Sequence, residues 1–216
     1  MPTDRPNLQY NVVKAFGIDK FVHIMKDFLV SFRSDNSIRA IVYFPSYAKL
    51  ENVYNICSRS FDIKKHYGKN SLSENMISVE SWMRGDVSIM FATSGFSVGI
   101  DYPYVRLVVC YSEPFDIESM VQQFGRAGRD GVKSNAVLYV NQNYPLTERT
   151  DLLIKQFIEN DEVCRRYFIS QYMDLFPIDC FERDRKAIEF NRKKIFTSIR
   201  QLLQFTSSFG HAKDLK

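Results

Sequence analysis

The feature that most constrains the fold is an alternation of apolar, β-branched segments with helix-like segments. Strand-like segments lie at Ile38–Phe44, about Asp62–Gly68, Val87–Thr93, Val105–Tyr111 and Ser134–Val140. Because most of them are almost continuously apolar, we expect strands that are buried on both faces. Such strands, joined by amphipathic helices, form a parallel sheet with right-handed crossovers. The pattern therefore predicts an α/β fold with a parallel sheet of about five strands and helices on both faces.

Capping residues mark the helices between these strands. Ser46 follows Pro45 and can cap a helix that extends to Ser58. Ser71 and Glu74 have the Ser-x-x-Glu spacing of a capping box. Further helix boundaries are expected at Gly85, which can end a helix, and at Asp116, which can open one.

The chain continues beyond the sheet pattern at both ends. Apolar residues at helical spacing predict a helix over Asp19–Phe32 before the sheet. After the sheet, Leu152–Met173 and Phe181–Phe205 have the same spacing. We therefore expect two regions, an α/β domain over residues 1–146 and an all-helical appendage over residues 147–216.

Composition restricts the class of protein. Of the 216 residues, 45% are hydrophobic and 25% are charged, which is typical of a soluble globular protein and excludes a disordered or collagen-like chain. The four cysteines form no Cys-x-x-Cys pair, which indicates a reducing compartment. No apolar run approaches the roughly 18 residues of a membrane span, so we expect no membrane partner. The net charge of +4 permits nucleic-acid contact without requiring it.

Two loops carry residues suited to ligand chemistry. The first is Ser94–Asp101 and the second is Gln122–Gly131. Ligands of open parallel sheets bind beyond the carboxyl ends of the strands, and we expect both loops there. In the second loop, three glycines at three-residue intervals hold Arg126 and Arg129. Glycine allows tight bends, and arginine presents a planar charged fork suited to phosphate oxygens.

Residues 91–131 resemble motifs V and VI of the RecQ family of superfamily 2 ATP-dependent DNA helicases. Shorter segments are similar to other elements of that family: Arg5–Leu8, Ile41–Val53, His66–Gly68 and Cys164–Arg166. The resemblance implies that residues 1–146 form a second RecA-like lobe, the helicase C-terminal domain. It implies that residues 147–216 form a degenerate zinc-binding subdomain.

The resemblance also implies roles for residues of the two loops. Arg129 would be an arginine finger that reaches the γ-phosphate of ATP, and Arg126 would assist it. Asp101 would accept a hydrogen bond from the ribose, with Gly99 and Gln122 at the same nucleotide interface.

DNA contacts and cellular role are implied in the same way. Thr93, Ser94 and Ser46 would contact the DNA backbone, which sets register without reading sequence. The family's activity is ATP-dependent 3′ to 5′ unwinding, on single-stranded or forked DNA. The implied location is the nucleus, or the cytoplasm of a prokaryote.

Some elements of a complete motor have no match in these residues. Nothing fits the phosphate-binding pattern G-x-x-x-x-G-K-[ST] or Asp-Glu-x-His. ATP and Mg²⁺ are therefore expected only together with a lobe 1, in cis or in trans. Cys164 and Cys180 match the first two zinc ligands of the family, but Arg183 and Lys186 stand at the other two positions. Because two thiolates cannot close a tetrahedral site, zinc is not expected.

Other interpretations stay open. Arg126 and Arg129 could be a solvated pair at a helix end, Asp101 a turn residue, and Thr93 a strand terminus. His66 is expected to be a satisfied polar residue of its strand. The chain could supply half of a helicase motor. It could also be an inactive helicase remnant, or a module that binds DNA or protein.

Overall fold

The computed structural model describes residues 5–97, 101–112, 114, 116–142 and 151–174. Its strands are β1 (Leu8–Ala15), β2 (Arg39–Tyr43), β3 (Ile63–His66), β4 (Ile89–Ala92), β5 (Val105–Tyr111) and β6 (Ser134–Asn141). Its α-helices are α1 (Asp19–Ser31), α2 (Tyr47–Cys57), α3 (Leu72–Arg84), α4 (Ile117–Phe124), α5 (Leu152–Glu159) and α6 (Arg165–Met173).

The six strands form one parallel sheet in the order β1-β6-β5-β2-β4-β3. The α/β prediction is confirmed, but the expected number of about five strands is too small. The additional strand is β1, which pairs with β6 from Leu8 opposite Ser134 to Ala15 opposite Asn141. Because β1 lies at the sheet edge and is mostly half-buried, polar residues interrupt its sequence and hide the strand pattern.

The sheet separates two apolar clusters. Every residue of β2, β4 and β5 is buried, which explains why their sequences are mostly apolar. Helices α1 and α2 cover one face through residues such as Phe21 and Leu50. Helices α3 to α6 supply the other cluster, where Trp82 and Phe124 are fully buried. The structure thus has the expected helices on both faces.

The predicted caps lie where the sequence placed them. Ser46 accepts a hydrogen bond from the backbone N–H of Lys49 at the start of α2. Ser71 and Glu74 form both bonds of the capping box of α3, and Gly85 ends that helix with a φ of +98°. These signals are local, so the sequence alone is sufficient to locate them.

The predicted helix Leu152–Met173 is in fact two helices, α5 and α6. The Asn160 side chain accepts hydrogen bonds from the backbone N–H groups of Glu162 and Val163, and this turn replaces the helical hydrogen bonds. Both helices pack on the sheet, with Phe157 and Ile169 in the same cluster as Trp82. The boundary at residue 146 and the predicted helix Phe181–Phe205 lie outside the described residues and stay predictions. In the described part, no helix has the length and apolarity to cross a bilayer.

Candidate functional site

The loop Gln122–Gly131, here named the finger loop, lies at the amino ends of two strands. The backbone N–H of Gly128 donates to the carbonyl of Val105, the first residue of β5, at 2.8 Å. The prediction that this loop lies at the carboxyl edge is therefore wrong. The loop follows α4, and a crossover helix returns the chain from the carboxyl edge to the amino edge of a parallel sheet. The loop before β6 must accordingly lie at the amino edge.

Two site residues predicted from separate motifs meet beside the finger loop. Nη1 of Arg129 donates to Oδ1 of Asp101 at 2.5 Å. The Asp101 side chain is 80% exposed and that of Arg129 is 30% exposed. An ion pair this exposed to solvent contributes only about 0–1 kcal/mol, so Arg129 can exchange its carboxylate partner for a phosphate at little cost.

Arg126 is a half-buried residue of the finger loop. Its positive charge acts on the hydroxyl group of Tyr43, at the end of β2. Burial raises the pKa of Tyr43, and the positive charges of Arg126 and Arg129 oppose that rise. Both arginines therefore lie close enough to the end of β2 for their charges to act on the Tyr43 hydroxyl.

The other predicted nucleotide-binding residues are less well placed. Gln122 is exposed on α4, and no hydrogen bond of the described residues joins it to Arg129 or Asp101. Its neighbour Gln123 instead accepts a hydrogen bond from the Cys110 thiol at 2.9 Å. Gly99 lies outside the described residues.

Side chains from distant parts of the sequence hold the finger loop. The Arg5 guanidinium donates to the carbonyls of Gly125, Ala127 and Gly128 at 3.4, 3.0 and 2.7 Å. The Asn7 amide donates to the carbonyls of Gly128 and Val132 at 2.7 and 3.0 Å. Although the sequence identifies the segment Arg5–Leu8, it assigns no role to either side chain.

The acidic residue of the finger loop has a structural partner. Arg106, a buried residue of β5, donates two hydrogen bonds to the Asp130 carboxylate. These bonds lower the pKa of Asp130. Asp130 therefore anchors the loop to the sheet and is not available as a catalytic base.

Gly128 is the glycine of the loop at which a side chain would meet both backbone strain and close neighbours. It has a φ of +55°, a left-handed conformation that other residues rarely adopt. A Cβ atom there would also lie within 2.8 Å of the Asn7 amide, the Ser134 hydroxyl and the Val132 carbonyl. The close approach of the loop to Asn7 thus depends on the missing side chain.

The predicted DNA-binding residues lie at the opposite, carboxyl edge of the sheet. Ser46 follows β2 and is exposed, and Thr93 and Ser94 follow the neighbouring strand β4. The Thr93 N–H donates to the carbonyl of His66 at the end of β3, at 3.2 Å. Three adjacent strand ends therefore bring these residues to one edge.

An aromatic platform next to Ser46 was not predicted from the sequence. The Tyr47 ring is 37% exposed and lies 4.8 Å from the Tyr67 ring. Nζ of Lys69 lies 4.6 Å from the centre of the Tyr47 ring. Exposed aromatic rings next to lysines are typical of surfaces that bind single-stranded nucleic acid. The position of Tyr47, directly after the predicted Ser46, is the sequence signal that could have identified it.

A cavity of about 50 Å³ opens between the ends of β2 and β5. It is lined by residues that include Tyr43, Cys110 and Gln123. The Tyr43 hydroxyl is buried and has no hydrogen-bond partner among the described residues. This volume is larger than one water molecule needs.

The predicted zinc remnant consists of Cys164 and Cys180. Cys164 is the N-cap residue of α6, and Cys180 lies outside the described residues. The described part of the chain contains no group of three or more histidine, cysteine, aspartate or glutamate residues placed to hold a metal ion. The expectation about zinc therefore stays a prediction.

Comparison with known proteins agrees with this architecture. Residues 20–131, about half of the chain, match the family described as helicase conserved C-terminal domain. The chain is 28% identical over 155 residues to ATP-dependent DNA helicase RecQ of Bacillus subtilis (strain 168), covering 71% of this chain and 24% of that protein. It is 29% identical over 188 residues to ATP-dependent DNA helicase Q1 of Pongo abelii, covering 79% and 28%.

The fold itself has counterparts among solved structures. Saccharomyces cerevisiae Dbp5 bound to RNA and ADP BeF3 matches with a TM-score of 0.56 and 18% identity, over 74% of this chain and 41% of that one. This match shows a RecA-like fold. The chain belongs to the helicase conserved C-terminal domain family and is a RecQ-like helicase lobe. It spans about a quarter of the length of the two DNA helicases.

Proposed function

We propose that the chain supplies the second motor lobe of a RecQ-like, ATP-dependent 3′ to 5′ DNA helicase. The observation that carries the proposal is the contact between Arg129 and Asp101. These residues come from separate motifs, yet both face solvent on one side of the domain. A charged fork beside an exposed carboxylate suits a nucleotide, whose phosphates and ribose require a donor and an acceptor, respectively.

Arg129 is proposed as the arginine finger. Its guanidinium would stabilise the charge that develops on the transferring phosphoryl group, an effect of roughly 10³–10⁵ in rate where it has been measured. Arg126 would add a second positive charge. When Arg129 moves to the phosphate, Asp101 is released from its ion pair and can accept a hydrogen bond from the ribose.

A lobe 1 is proposed to hold ATP and Mg²⁺ on the other side of the interface between the two lobes. Mg²⁺ would neutralise phosphate charge there. Arg126 and Arg129 suit a position that contacts the phosphates but not Mg²⁺, because cationic side chains repel a metal ion and attract phosphate. Lobe 1 could be linked to this chain or could bind as a separate protein.

The carboxyl edge is proposed to contact DNA. The hydroxyl groups of Ser46, Thr93 and Ser94 would donate to backbone phosphates of single-stranded or forked DNA. Tyr47 would provide a ring against which a base can stack. The finger loop and the DNA contacts would therefore occupy opposite edges of the sheet.

The proposal can be tested by combining the chain with a RecQ-type lobe 1 that carries a phosphate-binding loop. DNA-stimulated ATP hydrolysis and strand separation would be measured on duplexes with a 3′ or a 5′ overhang. We expect activity on the 3′ overhang, and we expect Arg129→Ala to lower it by roughly 10³-fold or more. The matched control is Arg33→Ala, because Arg33 is exposed on the opposite layer of the domain, next to α1.

Alternative functions give different results in the same experiment. Strand separation from the 5′ overhang would contradict the proposed polarity. Normal hydrolysis by the Arg129→Ala variant would contradict the finger role. DNA binding without any hydrolysis by the assembled lobes would indicate an inactive remnant or a binding module.

A further inference from the structure

The finger loop contains the two arginines that the proposed function requires, and Arg5 binds the peptide groups next to both of them. Its guanidinium donates to the carbonyl of Gly125, which directly precedes Arg126. It also donates to the carbonyls of Ala127 and Gly128, and Gly128 directly precedes Arg129. The peptide plane is rigid, so a fixed carbonyl oxygen also fixes the nitrogen and Cα of the next residue. Arg5 thus sets the position from which each arginine side chain extends.

The bonds made by Arg5 cannot be reproduced by another side chain. The guanidinium presents five N–H donors in a fixed plane, and hydrogen bonds from a charged donor are about twice as strong as neutral ones. A lysine ammonium keeps the charge but lacks the planar fork. The Asn7 amide supports the same turn from the other side, through the carbonyls of Gly128 and Val132.

Arg166 of α6 holds Arg5 in turn. Arg166 is buried, and it donates to the backbone carbonyls of Arg5 and Leu8 at 2.9 and 2.8 Å. Its guanidinium also lies 5.2 Å from the centre of the Tyr10 ring, which packs 5.9 Å from Phe124 at the start of the finger loop. Two sets of contacts therefore join α6 to the loop.

We propose that Arg5 and Arg166 are positioning residues for the arginine finger, linking α6 to the finger loop. The proposal rests on the proposed function, because it concerns the same Arg129. It extends that function to two residues that touch neither nucleotide nor DNA. One of them belongs to the helices that follow the sheet, so these helices control the finger as well as covering the core.

The test uses the assembled lobes and the conservative variant Arg5→Lys. A displacement of about 1 Å from the productive geometry can reduce a rate by about 10²-fold. We therefore expect Arg5→Lys to lower the rate at saturating ATP by about 10²-fold, with less than about a threefold change in KM. Arg166→Lys should act in the same direction, and its neighbour Arg165→Lys is the matched control. Arg165 donates to the carbonyl of Asn160, away from the finger loop.

A double variant separates positioning from general stability. If Arg5 acts mainly through Arg129, Arg5→Lys should cause only a small further loss of rate in the Arg129→Ala background, because only its effect on Arg126 remains. A full additional loss there would overturn the positioning role while leaving the finger role intact. An unchanged rate for Arg129→Ala alone would instead overturn the proposed function.

Amide hydrogen exchange provides a readout that needs no lobe 1. In the 216-residue chain, Arg5→Lys should accelerate exchange at Gly128 and Gly131. The Gly128 N–H donates to the Val105 carbonyl of β5, and the Gly131 N–H donates to the Gly128 carbonyl. Exchange in β2 should stay unchanged. Equal acceleration in β2 would show that the substitution weakens the whole domain, and unchanged exchange in the loop would show that Arg5 does not hold it; either result would overturn the proposal.

Discussion

The finger loop and the carboxyl edge of the sheet differ in how their polar groups are hydrogen-bonded. In the finger loop, Arg5, Asn7 and Arg106 bind three backbone carbonyls and the Asp130 carboxylate. At the carboxyl edge, the Tyr43 hydroxyl and Nδ1 of His66 are buried without a hydrogen-bond partner in the described part of the chain. The comparison teaches that side chains from outside the finger loop bind its backbone carbonyls and its carboxylate, and so fix the backbone that carries Arg126 and Arg129.

The largest expected effect on stability is at Gly128, where the loop is most tightly held. Gly128→Ala should lower the free energy of unfolding by about 3 kcal/mol, since left-handed backbone and steric crowding both oppose the Cβ atom. The matched control is Gly131→Ala, which also has a positive φ but has open space around it. We expect a loss of about 1 kcal/mol there, measured by urea denaturation. Equal losses would show that the close contact with Asn7 is unimportant.

A smaller effect is expected when the anchor of the loop is removed. Asp130→Asn should cost about 2 kcal/mol of unfolding free energy, because the buried Arg106 guanidinium loses its charged partner. Asp86→Asn removes an exposed pair with Arg84 and should cause no measurable loss of stability. The same denaturation measurement compares the two variants. Similar losses for both would mean that Asp130 is only a surface residue.

The same carboxylate should contribute to the acid sensitivity of the domain. Because Arg106 lowers the pKa of Asp130 in the folded state, the contribution is fully present above the unfolded pKa of about 3.9. It is lost as the pH falls through the lower, folded pKa. Unfolding free energy measured between pH 6 and pH 3 should therefore fall less steeply for Asp130→Asn than for the wild-type chain.

At the carboxyl edge, the pH dependence should come from His66. Burial lowers the pKa of His66, so the folded state disfavours its charged form. Stability should consequently fall as the pH decreases from about 6.5 toward the folded pKa. His66→Gln should flatten this slope, whereas His23→Gln, at a 77% exposed side chain, should preserve it. An unaltered slope in the His66 variant would contradict the assignment.

The smallest effect is expected at Tyr43. Tyr43→Phe removes a buried hydroxyl that has no partner in the described residues, so the free energy of unfolding should not fall and should rise by up to about 1 kcal/mol. Tyr139→Phe is the matched control, because its hydroxyl donates to the carbonyl of Gly17 at 2.8 Å. We expect that variant to lose about 1 kcal/mol. A large loss at Tyr43 would mean that its hydroxyl has a bonding partner in solution.

The elements that could be predicted from the sequence depend on local patterns. The buried strands β2 and β5 and the capping box of α3 follow from residue periodicity and from spacings of three residues. Strand β1 was missed because its stability comes from pairing with β6, which is about 125 residues away along the chain. Local sequence contains no direct signal for such pairing.

The residues of the candidate site also differ in whether the sequence predicts their role. Arg129 and Asp101 could be predicted because glycine-rich motifs mark them, and the structure brings them together. The role of Arg5 could not be predicted, because its partner Gly125 is 120 residues away. The wrong edge assigned to the finger loop has a different cause: the loop follows a helix, and its edge depends on the direction of that helix across the sheet.

The most direct test of the central claim compares ATP hydrolysis with ATP binding in the assembled lobes. If Arg129 stabilises the transferring phosphoryl group, Arg129→Ala should lower the rate at saturating ATP by roughly 10³-fold or more. The Kd for ATP should change by less than about tenfold, because the effect belongs to the transition state. A normal rate, or a loss of binding that accounts for the whole loss of activity, would contradict the account.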